Sequence, residues 1–297
     1  MESKSDAIWL EPRLRRLTAP NPSPMTWRGT NSYLLGRGRV AVIDPGPDNP
    51  AHLHALLASL EPGETIEAIL VTHSHRDHSP LAGPLSAATG APVLAAGPSD
   101  WGRSALMARL AADGGLGGGE GVDAGFAPDR QIADGDRIDG GWGRIEVLET
   151  PGHMANHLSF AWEGALFSGD LVMGWSSSLV SPPDGDMGAF MASCLRLAQR
   201  DDRVFHPGHG DPVTTPKGRL DELINHRKMR EAQIIAALSQ DGPANAAELA
   251  GRIYTELSPT LLPAAARNVL AHLIDLERRN LAVVQGPLTA TARFGLS

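Results

Sequence analysis

Seven consecutive residues, Thr72-His73-Ser74-His75-Arg76-Asp77-His78, place three imidazoles and a carboxylate within six positions, directly after the apolar run Ile66–Val71. Such a run reads as a buried strand, so the His-rich segment is the loop at its end. No packing argument calls for four polar, metal-competent side chains there. In a loop, His73 and His75 can face one metal ion while Asp77 and His78 turn toward a second. Imidazole and carboxylate suit Zn²⁺, which takes them at ~2.0–2.2 Å. Two adjacent dications need a bridging carboxylate and more imidazoles. The sequence offers these at later turns: His153 in Thr150-Pro151-Gly152-His153, Asp170 in Ser168-Gly169-Asp170, and His209 in Pro207-Gly208-His209-Gly210. Each turn follows a strand pattern, so all can meet at one edge of a layered fold.

The surrounding pattern alternates strands with helices. Asn31–Leu35 and Val40–Ile43 read as a hairpin, Pro50–Leu60 as a helix, Leu81–Ala88 as a short helix and Pro92–Ala95 as a strand. A helix is expected around Ser104–Ala112, and Leu116–Pro128 reads as a mobile loop. Strands follow at Arg144–Leu148, Leu158–Trp162, Ala165–Ser168 and Val204–His206, with a helix over Gly188–Gln199. Two similar halves of this kind predict an α/β layered sandwich. After Pro216 the texture becomes helical: Arg219–Gln240, a helix opened by the box Asn245/Glu248, and Pro263–Asn280. Short strands at Ala282–Gln285 and Thr291–Phe294 complete a winged-helix-like unit. The reading divides the chain into residues 1–215 and 216–297.

Charge and cysteine content narrow the function. Residues 216–297 carry 10 basic and 8 acidic side chains, against 16 and 26 in residues 1–215, within a net charge of −8. An acidic body lacks the broad basic footprint of a dedicated nucleic-acid binder. The single Cys194 excludes an internal disulfide and any Cys-based metal cluster. No apolar run approaches the ~20 residues of a membrane helix. Met1 to Leu17 lacks the apolar stretch of a secretory signal. Together these predict a cytoplasmic protein without membrane partners.

The combined motifs resemble the metallo-β-lactamase superfamily over roughly residues 28–215, with its αββα fold and dinuclear centre. The resemblance implies one metal at His73, His75 and His153, a second at Asp77, His78 and His209, and a bridge from Asp170. Asp44, at the end of Val40–Asp44, matches an early Asp-Pro-Gly motif that shapes the site without ligating. The common antibiotic-hydrolysing class carries Arg where His78 stands and Cys where Asp170 stands. Only 38 residues separate Asp170 from His209, too few for the inserted cap of RNA-processing relatives. Gly174-Trp175-Ser176-Ser177-Ser178 replaces the Gly-Cys-Gly-Arg stretch of glyoxalase II. Thr150–His157, Pro207–Gly210 and the helix segment His226 to Glu231 are most similar to the lactamase-B-like 2 group, whose catalytic domain carries a C-terminal winged helix.

The implied activity is a hydrolase holding two Zn²⁺, with Mn²⁺ or Fe²⁺ as alternatives. A metal-bound hydroxide would cleave a small ester, thioester or lactone, and Asp77 would orient the nucleophile or take its proton. The alternatives are a single-stranded RNA endonuclease, the activity of an animal member of the group, and a non-catalytic zinc-binding regulator. A small-molecule substrate is the expected partner, with RNA and a second copy of the chain as further options. His157 is expected as a catalytic donor to substrate or as a support for the centre. His206 is expected as a buried, hydrogen-bonded residue. His52, His54 and His272 read as solvated. Arg227 reads as part of a charged helix face pairing with Glu231, or, with His226 and Arg230, as a cation aimed at substrate. Trp175 and the following serines are candidates for the substrate mouth, and Cys194 for the core.

Overall fold

The computed structural model describes residues 7–119 and 121–297. Met1 to Asp6 of the segment read for a secretory signal, and Glu120 of the expected 116–128 loop, lie outside them.

Seven strands form the first sheet in chain order: β1 (Ile8–Glu11), β2 (Leu14–Thr18), β3 (Asn31–Leu35), β4 (Arg39–Ile43), β5 (Thr65–Leu70), β6 (Val93–Ala95) and β7 (Arg130–Gln131). The first four pair antiparallel; β4 to β7 pair parallel. Helices α1 (Pro50–Ala58), α2 (Ala82–Thr89) and α3 (Ala105–Asp113) lie between them in sequence. The second sheet contains β8 (Arg137–Gly140), β9 (Gly143–Glu149), β10 (Leu158–Trp162), β11 (Ala165–Gly169) and β12 (Val204–Pro207), in spatial order β12-β11-β10-β9-β8.

The period of two along the strands builds the layers. On β4, Ala41 and Ile43 face the second sheet, while Val40 and Val42 face the cluster with Leu56 of α1 and Leu85 of α2. Leu158, Phe160 and Trp162 of β10 meet Tyr33 and Leu35 between the sheets. Helix α4 (Met187–Leu197), begun by the Asp186 cap, lays Phe190, Cys194 and Leu197 on the outside of the second sheet. This is the predicted α/β sandwich, helix-sheet-sheet-helix. Truncating Phe160, fully buried in its centre, costs about 3–5 kcal/mol on the usual scale.

The long helix α5 (Pro216–Asp241) serves two clusters. Leu220, Leu223 and Ile224 pack with α4, and Ile234 and Leu238 pack with α6 (Ala246–Ile253) and α7 (Leu262–Arg278). The expected capping box of Asn245 and Glu248 opens α6. A two-stranded wing, β13 (Ala282–Gln285) with β14 (Arg293–Leu296), follows, the second strand beginning two residues later than expected. Between Ala265 and Glu277 no residue of α7 is exposed.

Several expectations are corrected. The 116–128 segment is fastened rather than loose: Leu116 and Phe126 are buried, and Asp123 N–H donates to the Ser74 carbonyl at 2.8 Å. His52 is buried, with Nε2 2.9 Å from Ser32 Oγ. His272 is buried too, with neither ring nitrogen hydrogen-bonded. His206 is buried as expected, but neither ring nitrogen is hydrogen-bonded; its ring lies 5.2 Å from Phe167 and 5.5 Å from Tyr33. Strands β1, β2, β7 and β8 escaped the pattern reading because they are short or interrupted by charged residues.

Candidate metal centre

The strand ends of both sheets open onto one edge of the sandwich. The loop after β5 brings His73, His75, Asp77 and His78; the turn after β9 brings His153; Asp170 directly follows β11; β12 runs into His209. Three groups of donor atoms result, each within 4.8 Å: His73/His75/His153, His73/His78/Asp170 and Asp77/His78/His209.

In the first group His75 Nδ1 lies 3.0 Å from both His73 Nε2 and His153 Nε2. Nitrogens tetrahedrally placed about a zinc ion at ~2.0 Å stand roughly 3.3 Å apart, so the spacing fits a shared cation. In the second, His209 Nε2 is 3.2 Å from Asp77 Oδ2, and His78 Nε2 is 3.3 Å from the same oxygen. Asp170 spans both: Oδ1 is 3.5 Å from His78 Nε2, and Oδ2 is 3.2 Å from His209 and 3.7 Å from His153. His78 Nε2 and Asp170 Oδ1 are buried with no hydrogen-bond partner. Buried polar atoms are normally satisfied, so two orphans aimed at one point fit a metal ion.

The outer contacts fix which nitrogen each imidazole presents. His153 Nδ1–H donates to the Leu179 carbonyl at 2.7 Å, and His209 Nδ1–H to the Gly29 carbonyl at 3.1 Å. His78 Nδ1–H donates to Asp44 Oδ2 at 2.9 Å. Thr72 spends its hydroxyl proton on that same oxygen at 2.7 Å, so it accepts the Nδ1–H of His73 at 2.9 Å. All four histidines therefore turn Nε2 inward, the arrangement metal-binding histidines adopt. Asp44 sits in left-handed backbone at φ 50°, which Asp tolerates better than most residues.

Electrostatics sort the cluster into two kinds of site. Burial holds His73 well below its ordinary pKa and pushes His75 down to about 3, and His153 is lowered for the same reason. These stay neutral. Burial also opposes charge on His209, yet the Asp170 and Asp77 carboxylates outweigh it and push its pKa up to about 10. His78 is likewise raised, burial being overcome by Asp77, Asp170 and Asp44. The two carboxylates that draw protons there would draw a dication equally well, and binding one would release protons.

His157 stands behind this cluster. Its Nε2 accepts the backbone N–H of Asp170 at 3.2 Å and its Nδ1 is 2.9 Å from Thr150 Oγ1. With both nitrogens engaged and the ring 1% exposed, it supports Asp170 and is not a donor to substrate. Asp77 is the accessible carboxylate, its side chain 25% exposed and its Oδ2 accepting from Thr30 Oγ1 at 2.9 Å. Beside His209, Trp27 and Trp175 stack at 5.7 Å, with Arg28 4.4 Å from the Trp27 ring. Arg227 is buried, and Glu231 pairs with Arg279 instead. The sequence reading missed Thr30 and the Leu179 and Gly29 carbonyls. Backbone oxygens leave no side-chain signal, and a lone threonine 47 positions from Asp77 leaves almost none.

Residues 25–209 match the family model of the metallo-β-lactamase superfamily, and residues 246–287 match the β-lactamase-associated winged helix domain. The chain is 32% identical over 275 residues to the β-lactamase-like protein 2 homolog of Drosophila melanogaster, covering 89% of this chain and 87% of that one. It is similar to a metallo-β-lactamase family protein of Thermus thermophilus, with a TM-score of 0.77, 28% identity and coverage of 97% and 100%. TTHA1623, solved in a di-iron-bound form, aligns with a TM-score of 0.51 and 33% identity, covering 68% of this chain and 95% of its own. The chain belongs to the metallo-β-lactamase superfamily. Its buried His/Asp cluster is that of a metal-dependent hydrolase, and a winged helix follows the catalytic fold.

Proposed function

We propose that the protein hydrolyses a small ester-type substrate, an ester, thioester or lactone, with two zinc ions. His73, His75 and His153 would hold one ion and Asp77, His78 and His209 the other, with the Asp170 carboxylate placed to serve both. The observation that carries this reading is the convergence of these seven side chains, their donor atoms turned inward, at one edge of the sandwich. When bound, the ions make hydroxide available near neutral pH and polarise the scissile carbonyl as Lewis acids. The protein's own part is positional. Asp77, steadied by Thr30, orients the attacking group and accepts its proton. His157 holds the backbone of Asp170 in place. In this reading residues 1–215 are the catalytic unit, and 216–297 a C-terminal unit whose first helix packs against both. The single, buried Cys194 suits a reducing, cytoplasmic setting.

The Trp27–Trp175 pair with Arg28 favours a second reading, cleavage of single-stranded RNA, since aromatic faces and guanidinium groups stack on bases. The burial of α7 counts against it: a winged helix that reads nucleic acid offers its third helix to a groove, and here that helix is spent on packing. A seven-residue centre also exceeds what a structural zinc in a regulator needs. The test pits zinc-loaded protein against acyl esters, thioesters and lactones on one side and an RNA oligonucleotide on the other. Asp77→Ala is the blank. Acyl turnover lost in that variant, with intact RNA, is expected; RNA cleavage lost in it would overturn the ester reading.

A further inference from the structure

Arg227 of α5 is 1% exposed, and among the described residues no carboxylate lies within ion-pair distance of it. Burial, with a smaller push from the Arg230 charge, brings its guanidinium down to about 10, and Nε has no hydrogen-bond partner. A buried charge of this kind is a poor way to hold a helix, since an apolar side chain of similar volume would pack there with less penalty. Besides the Phe190 ring, 5.0 Å from its Cζ, the guanidinium is held by two hydrogen bonds. One amine donates to the Ser178 carbonyl and the other to Asn268 Oδ1 of α7 at 3.1 Å. Asn268 Oδ1 also accepts the N–H of Val180 at 3.0 Å.

These two contacts grip the chain on either side of Leu179. The Leu179 carbonyl between them accepts Nδ1–H of His153 at 2.7 Å, and the opposite nitrogen of that ring faces His75 at 3.0 Å. An unbroken series of bonds thus runs from the C-terminal helices to one histidine of the centre.

We propose that Arg227 and Asn268 are positioning residues through which the C-terminal unit sets the aim of His153. The C-terminal unit then acts on the centre from behind, as part of its frame. The inference rests on the reading that His73, His75 and His153 hold a metal ion. Among the described residues, the hydrogen bonds wire one position in this way. His78 and His209 are oriented by Asp44 and Gly29, neither of which touches Arg227 or Asn268.

The test is a metal titration of full-length protein with Zn²⁺ against a chelator, and with Co²⁺ followed by its visible spectrum. In Asn268→Leu and Arg227→Met, one of the two equivalents should weaken roughly 10- to 100-fold, the range for losing a partner behind a ligating histidine. The other should hold, and the cobalt spectrum of the weakened position should shift. Asn268→Asp keeps an acceptor for both donors and should restore parent affinity. If Arg227→Met does not fold, Asn268→Leu and Asn268→Asp decide. Parent affinity for both equivalents in folded Asn268→Leu overturns the proposal, as does equal weakening of both. Failure of the parent protein to take up two equivalents would instead overturn the metal-centre reading beneath it.

Discussion

Oδ2 of Asp44 lies 2.9 Å from Nδ1 of His78, and both side chains are buried. The same oxygen takes the Thr72 hydroxyl at 2.7 Å, and Oδ1 takes the Thr72 N–H at 2.7 Å. Through Thr72 it also fixes the ring of His73. One carboxylate, itself no donor to the centre, therefore orients a histidine in each of the two proposed metal positions.

Asp44→Ala should accordingly weaken both metal equivalents, each by roughly 10- to 100-fold. Chelator competition reads this directly. The contrast with the single weakened equivalent expected for Asn268→Leu separates the two supports.

Gly208 backs directly onto the centre. A Cβ built on it would stand 2.6 Å from His78 Cε1 and closer still to Asp170 Oδ1. His78 is held by Asp44 and the backbone of Asp170 by His157, so the clash falls on the centre's own carboxylate and imidazole. Gly208→Ala should lose the metal position containing His78 and lower turnover at least about 100-fold, with the circular dichroism spectrum unchanged. Metal analysis of the purified variant checks it.

His272 sets an acid dependence of stability. Burial, followed by the charges of Arg227, Arg279 and His226, pushes its pKa down to about 3. Below the unfolded value near 6.5 the unfolded chain binds a proton that the folded chain does not, so stability falls as pH drops from about 6.5 toward 3. For one group the slope is at most about 1.4 kcal/mol per pH unit. His272→Met should flatten the decline between pH 7 and 5 in urea unfolding. An unchanged slope would show that the decline comes from other groups, such as His52 and His206, whose pKa values burial lowers to about 4.

Trp175 stands over the turn that carries His209 and stacks on Trp27. Trp175→Ala should raise KM for an acyl substrate about three- to tenfold while kcat stays within about twofold, the signature of binding lost equally from ground and transition state. A fall in kcat with unchanged KM would place Trp175 at the reacting centre.

Much of this architecture is written locally. The Thr72–His78 segment names its own chemistry, because metal-ligand spacing inside one loop is a property of adjacent residues. The alternation in β4 and the capping box of α6 are likewise settled within a few positions. Misreadings fall where a partner lies far along the chain. His52 belongs to a helix whose pattern leaves its environment open, and Ser32, 20 residues away, gives its ring a partner inside. Arg227 reads as surface charge until Ser178 and Asn268 are folded around it. The 116–128 segment is rich in glycine, yet Ser74 and the C-terminal core hold it.

By itself, then, the sequence determined most of the strand-and-helix order, the donor types gathered in the Thr72–His78 loop and the class of chemistry they suit. Tertiary structure alone decided which nitrogen each histidine turns inward, that His157 stands behind Asp170, and that the third helix of the winged unit is buried. The physical reason is the same throughout. Residue type and short spacing fix what a side chain can donate or accept. Its actual partners, often backbone oxygens with no residue signature, are chosen only when distant strands and loops are brought within hydrogen-bonding distance.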